Sequence, residues 1–156
     1  MEQHKSLELI LASRKAIIEL VETLSIEEMN QIPTGMGNNI IWNMAHLIAV
    51  QQERCYIQSR LEGLVPYSFI TAYCYGTRPE VQVDAEFCSF VKEEMTRHVQ
   101  MTSQDYADGK FRDFLPFSSR VYPGLTIENI EDTFQFVLLH EGLHQGYIRQ
   151  IMKMIR

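Results

Sequence analysis

Apolar positions recur at three- and four-residue steps in four long stretches of the chain, the spacing that lines one face of an α-helix. In the first, from about Glu2 to Leu24, they are Leu7, Ile10, Leu11, Ile17, Ile18, Val21 and Leu24. Ser25-Ile26-Glu27-Glu28 has capping-box spacing and predicts a short extra turn. Pro33, Gly35 and Gly37 then break the chain. A second helix is expected from Asn38 or Asn39, both good caps, to about Leu61, with Gly63 and Pro66 ending it. A third is expected from about Asp84 to Ser103, with Phe87, Val91, Met95 and Thr102 on one side. The fourth follows Pro123-Gly124, with Thr126 as its expected cap. Glu128, Glu131 and Asp132 sit near its start and Arg149, Lys153 and Arg156 near its end, an order that complements the helix dipole.

Two long connections separate these helices. Tyr67 to Val83 has no period and carries Tyr67, Phe69, Tyr73 and Tyr75. Its length marks it for function. These rings either wall a pocket or cap the bundle end, and capping is the simpler expectation. Asp105 to Gly124 is the second connection. No stretch alternates as a strand should, and no internal repeat is visible. The expected fold is all-α: one four-helix bundle spanning residues 1–156, with a long crossover loop between the second and third helices.

Composition narrows the functional field. Of 156 residues 46% are hydrophobic, enough to bury a core without covalent staples. The three cysteines form no C-x-x-C pair and read as free thiols of a reducing compartment. Cys55 and Cys88 belong to apolar faces, whereas Cys74 lies in the crossover loop, where it could touch a site. The first residues show no basic segment followed by an apolar one, so no signal peptide is expected. The longest apolar run, Ile40 to Val50, is interrupted by Asn43 and His46 and is too short to span a bilayer. A cytoplasmic protein with no membrane partner is expected. Fourteen basic against 20 acidic residues give a net charge of −6, which argues against nucleic acid as a partner.

The candidate chemistry lies in the histidines. His140 and His144 are four apart and share one face of the fourth helix with Val137 and Ile151. On the second helix His46 falls in an apolar stripe with Trp42, Ala49 and Val50, edged by Asn39, Asn43 and Glu53. Imidazoles in a core stripe are costly unless hydrogen-bonded or metal-bound. Three of them from two helices make a candidate centre for Zn, Ni, Fe or Cu, with coordination positions left open. Glu141 lies about 60° round the helix from His144, given roughly 100° per residue. It is a candidate ligand-orienting residue or base; otherwise it is a carboxylate of the bundle rim. Glu53, two turns beyond His46, is a candidate acid/base or substrate contact. It is too distant for joint metal ligation unless the helix bends, and its neighbour Arg54 makes a poor ion-pair partner for it. His98 is expected to be a helix-end residue and His4 to be solvated.

His140-Glu141-Gly142-Leu143-His144 also spells H-E-x-x-H. A zincin needs a third ligand downstream, and the twelve residues after His144 include no His, Asp or Glu. A peptidase is therefore not expected.

Ile41-Trp42-Asn43-Met44-Ala45-His46-Leu47 and His140-x-x-x-His144-x-Gly146-x-Ile148, in this order, carry a resemblance to the DinB/YfiT-like superfamily of metal-dependent helical-bundle proteins. The resemblance covers essentially the whole chain. It implies a bundle that is not simply up-and-down and a metal triad at His46, His140 and His144, with Zn or Ni expected as the divalent ion. It also implies a small-molecule substrate, with thiol transferases of the bacillithiol type and hydrolases among the relatives, and a homodimer. The alternative is a non-catalytic, stress-associated bundle that binds a metal or ligand.

Overall fold

The computed structural model describes residues 4–156, so the predicted helix start at Glu2 lies outside the described residues. In chain order the elements are helices α1 (Lys5–Val21), α2 (Ile26–Asn30) and α3 (Ile40–Gln51), a π-helical segment (Gln52–Ile57), helices α4 (Tyr67–Ala72) and α5 (Ala85–Ala107), strands β1 (Phe117–Ser118) and β2 (Thr126–Ile127), and helix α6 (Ile130–Ile155). Four of these, α1, α3, α5 and α6, form the expected bundle. No described helix is long and apolar enough to cross a membrane.

Side-chain caps set the starts. Ser25 and Glu28 close a reciprocal capping box on α2. The Asn39 side chain accepts from the Trp42 N–H at 2.8 Å, and that of Asp84 accepts from the Phe87 N–H at 2.9 Å. Helix α6 departs from expectation. Its cap is Asn129, whose Oδ1 accepts from the Asp132 N–H at 2.8 Å. Thr126 instead pairs with Ser118 in a two-residue antiparallel ladder that the sequence pattern did not signal. Helix α5 runs one turn past Ser103 and ends in a Schellman motif. The Lys110 N–H bonds the Asp105 carbonyl, the Gly109 N–H bonds that of Tyr106, and Gly109 takes φ 68°. The crossover is not irregular throughout, because its first residues form α4.

The packing order is not that of an up-and-down bundle. Helix α1 packs mainly on α5 and α6, and α3 on the same two, so α1 and α3 lie across a diagonal. The core falls into two apolar clusters. One centres on Ile17, Ile40, Met44, Ile48, Val91, Met95 and Ile148, the other on Leu7, Ile10, Val99, Phe134 and Val137. Between the helices lies a side chain that the hydrophobic pattern hides. Arg14 is fully buried, and all five guanidinium N–H groups have acceptors. Nε and Nη2 donate to Glu141 Oε1 at 2.9 and 2.7 Å. Nη2 also donates to the Leu47 carbonyl at 2.9 Å. Nη1 donates to Gln51 Oε1 at 2.6 Å and to the Met95 carbonyl at 2.9 Å. One residue of α1 thus holds α3, α5 and α6 together.

Removing one partner of such a pair strands a charge in the core. Glu141→Ala is expected to lower stability by about 3–5 kcal/mol, read from urea unfolding, with Glu141→Gln costing less because an acceptor remains.

Candidate metal centre

The three core histidines converge. One ring nitrogen from each of His46, His140 and His144 lies within 4.8 Å of the others, and all three residues are buried. The pair on α6 is stacked by helical spacing, with ring centroids 4.4 Å apart. His46 faces them from neighbouring α3, its ring 5.0 Å from His140 and 4.6 Å from His144. Among the described residues no other group of histidine, cysteine or carboxylate side chains is so arranged.

Hydrogen bonds behind the rings fix which nitrogen faces the centre. His46 Nδ1 donates to the Tyr73 carbonyl at 2.6 Å. His144 Nδ1 donates to Asn43 Oδ1 at 2.7 Å. The Asn43 amide cannot turn over, because its Nδ2 donates to Asn38 Oδ1 at 2.9 Å and to the Asn39 carbonyl at 2.7 Å. With the protons of His46 and His144 held at Nδ1, their Nε2 lone pairs are left for the centre, the arrangement metal-ligating histidines usually show. Trp42 stacks on His46 at 4.7 Å and 12° and limits its rotation. His140 Nδ1 has no partner.

The donor set fits a divalent ion. The Nε2 atoms of His46 and His140 are 3.2 Å apart. Two lone pairs at that distance repel unless a cation or a proton lies between them. The separation matches the roughly 3.3 Å expected for two nitrogens on a tetrahedral ion with bonds of about 2.0–2.1 Å. The rings are also in the right protonation state. Burial lowers the pKa of His46. Burial and then the neighbouring His46 bring His144 down to about 3. Burial, then His144 and His46, bring His140 down to about 2.

A cleft opens over His46 and His140. It measures about 40 Å³, and its rim includes Glu53, Arg54, Tyr75, Phe117, Arg120 and Phe136. Glu53 reaches this rim from the π-helical segment, whose extra residue per turn re-aims the chain after α3. It lies outside the histidine cluster. Against expectation its Oε2 is 3.5 Å from Arg54 Nη2, so the adjacent arginine is its ion-pair partner. Glu141 points the other way, into the core, where burial pushes its pKa up and Arg14 pulls it down. It does not sit on the bundle rim. Two larger cavities, of about 510 and 490 Å³, border Trp42 and Tyr73 and the Gly63–Ile70 stretch and reach none of the three histidines.

Other residues separate from the centre. His98 is buried on α5, with Nε2 2.5 Å from Glu94 Oε2. His4 is only partly exposed, because it packs edge-on against Phe134 at 5.1 Å and Tyr106 at 5.6 Å. Cys74 Sγ donates to the Thr71 carbonyl at 3.3 Å, and Cys55 and Cys88 are buried free thiols. The crossover aromatics divide. Phe69 and Tyr73 cover the bundle against Phe87, Tyr67 is exposed, and Tyr75 reaches the cleft. Arg54, Arg120 and the Tyr73 carbonyl escaped the sequence reading. Only Asn43 carried a signal, as a polar residue on the histidine face of α3.

The fold and the site define a helical bundle with a three-histidine centre between two adjacent helices, open on one side. Residues 9–148 match the DinB superfamily, and the chain belongs to that superfamily. Comparison with curated proteins returns no match.

The buried rings make the metal-free protein acid-sensitive. Above about pH 6.5 the histidines are neutral in both folded and unfolded chains and contribute nothing. Below it the unfolded chain takes up protons that the folded chain refuses, so stability falls as pH falls. His140 and His144, brought down to about 2 and about 3, are each expected to remove about 1.4 kcal/mol per pH unit between about pH 6 and 4. Urea midpoints of metal-free protein measure this slope, and His144→Gln is expected to reduce it by about one histidine's share.

Proposed function

We propose that the protein is a divalent-metal-dependent enzyme for small-molecule substrates, a thiol transferase first and a hydrolase second, with His46, His140 and His144 as ligands. The observation that carries the reading is the one-sided exposure of the centre. Two of its histidines border a cleft, and the hydrogen bonds to Tyr73 and Asn43 orient the donors from behind. Three protein ligands with an open side are the pattern of catalytic and not structural sites. A divalent ion held there supplies Lewis acidity that lowers the pKa of a thiol or water.

The chain's own residues do the rest. Asn43 and the Tyr73 carbonyl keep the imidazoles of His144 and His46 in one tautomer. Phe136 and Phe117, in edge contact at 5.5 Å, exclude water from one wall. Glu53 stands at the cleft as the proton acceptor, where the hydrolytic reading needs a base. Glu141 acts at a distance, as a positioning residue that holds the His140 turn through Arg14. The protein is taken as a homodimer through the α1–α6 face, where Leu9 and Leu139 remain 45% and 55% exposed. Sedimentation of wild type and of Leu139→Glu tests that face, with the variant expected to shift to monomer.

Untagged protein is expected to bind about one Zn²⁺ or Ni²⁺ per chain by elemental analysis. His140→Ala should lose it while keeping its helicity. Asn43→Ala should weaken it about 10- to 100-fold. Turnover of an electrophile with a low-molecular-weight thiol, abolished in His140→Ala, supports the transferase. Stoichiometric metal with no turnover of thiol or ester substrates overturns the enzymatic reading in favour of a metal-binding module.

A further inference from the structure

The cleft carries two positive charges that the metal ligands do not use. Arg54 comes from the π-helical segment and Arg120 from the connection before α6, and both line the rim over His46 and His140. Arg54 is held in place largely by groups that carry no charge. Its guanidinium lies 4.4 Å over the Phe117 ring. With its amide nitrogen donating to the Leu115 carbonyl, Gln58 accepts from Arg54 Nη1 at 3.1 Å. The side chain retains only 23% of its exposure. The Arg120 guanidinium lies 5.5 Å from the Tyr75 ring. Burial lowers the Arg54 pKa, with Glu53 opposing the shift and the charge of Arg120 adding to it.

The charges do not cancel locally. Glu53 is the one carboxylate on the rim, and at 3.5 Å from Arg54 it makes no close fork-to-carboxylate pair. Two guanidiniums, one carboxylate and two neutral imidazoles leave the cleft positive before any divalent ion is added. This stands out in a chain whose net charge is −6. Arg54 is partly desolvated there, and a second positive charge beside it is unfavourable unless an anion joins them.

We infer that Arg54 and Arg120 form an anion-recognition pair that binds a carboxylate of the substrate while its reacting atom enters the narrow space at His46 and His140. The planar guanidinium fork matches a carboxylate in two parallel hydrogen bonds. The cleft's volume of about 40 Å³ takes one small group, so the body of the substrate lies along the rim. There Phe117, Phe136 and Tyr75 offer an apolar wall. The substrate class is a small carboxylate with an apolar body. The inference rests on the proposed site, and with the thiol reading it narrows the class to carboxylate-bearing thiols.

Calorimetric titration of purified protein with 3-phenylpropionate and with 3-phenylpropanol tests the pair independently of any thiol. Wild type should bind the carboxylate about tenfold or more tightly than the alcohol. Arg54→Gln/Arg120→Gln should bring the two within about twofold. Arg120→Gln alone, at an exposed position that the fold does not use, should lose part of the preference. No preference in wild type, or a preference that survives in the double variant, overturns the inference. Cobalt-loaded protein titrated with 3-mercaptopropionate and 2-mercaptoethanol tests the thiol reading separately. If neither gives a thiolate-to-metal absorption band the thiol reading fails, and the phenylpropionate comparison still decides the arginine pair.

Discussion

The fold depends on a buried cation. A guanidinium without water must find acceptors for its five N–H groups or cost several kcal/mol, and Arg14 finds them on three different helices. This constraint is sharper than hydrophobic contact, which tolerates sliding by fractions of a turn. Two of the acceptors sit beside the metal histidines in sequence. Leu47, whose carbonyl Arg14 holds, follows His46, and Glu141 follows His140. The side chain that closes the bundle therefore also sets the height of α3 against α6 at the level of the site. The histidines sit on one side of that contact and the arginine on the other.

From that fixed register the rest of the centre follows in layers. The ring nitrogens meet because α3 and α6 are neighbours. The tautomers of His144 and His46 are set by one side chain, Asn43, and one backbone carbonyl, that of Tyr73. The open side exists because the chain after α3 leaves α-helical geometry at Gln52, carrying Glu53 and Arg54 to the cleft. The small ladder of β1 and β2 pins Phe117 opposite Phe136 and completes the wall.

Local chemistry made much of this legible in the sequence. Helical spacing placed the four bundle helices. Ser25 with Glu28, Asn39 and Asp84 announced their own helix starts through side chains that accept from nearby N–H groups. His140 and His144 declared a shared face by separation alone, and His46 by its place in an apolar stripe. What stayed hidden depends on partners distant in sequence. Nothing near Arg14 says that it is buried, because its acceptors come from residues 47, 51, 95 and 141. Glu141 reads equally well as a rim or a core carboxylate until Arg14 is placed. The π-helical turn has no composition signal, and Thr126 and Asn129 are both acceptable caps until β2 takes the first. The diagonal placement of α1 and α3 likewise follows from packing and not from period.

The two hydrogen bonds behind the centre differ in kind. The one to His144 depends on the identity of residue 43, and a single base change can erase it. The one to His46 ends on the main chain at residue 73. Every amino acid carries that carbonyl, so no replacement of the Tyr73 side chain removes it. It is lost only if the crossover changes path. Half of the site's orientation is thus stored in the route of the backbone, and the crossover can vary its letters widely as long as α4 and the following turn keep their course.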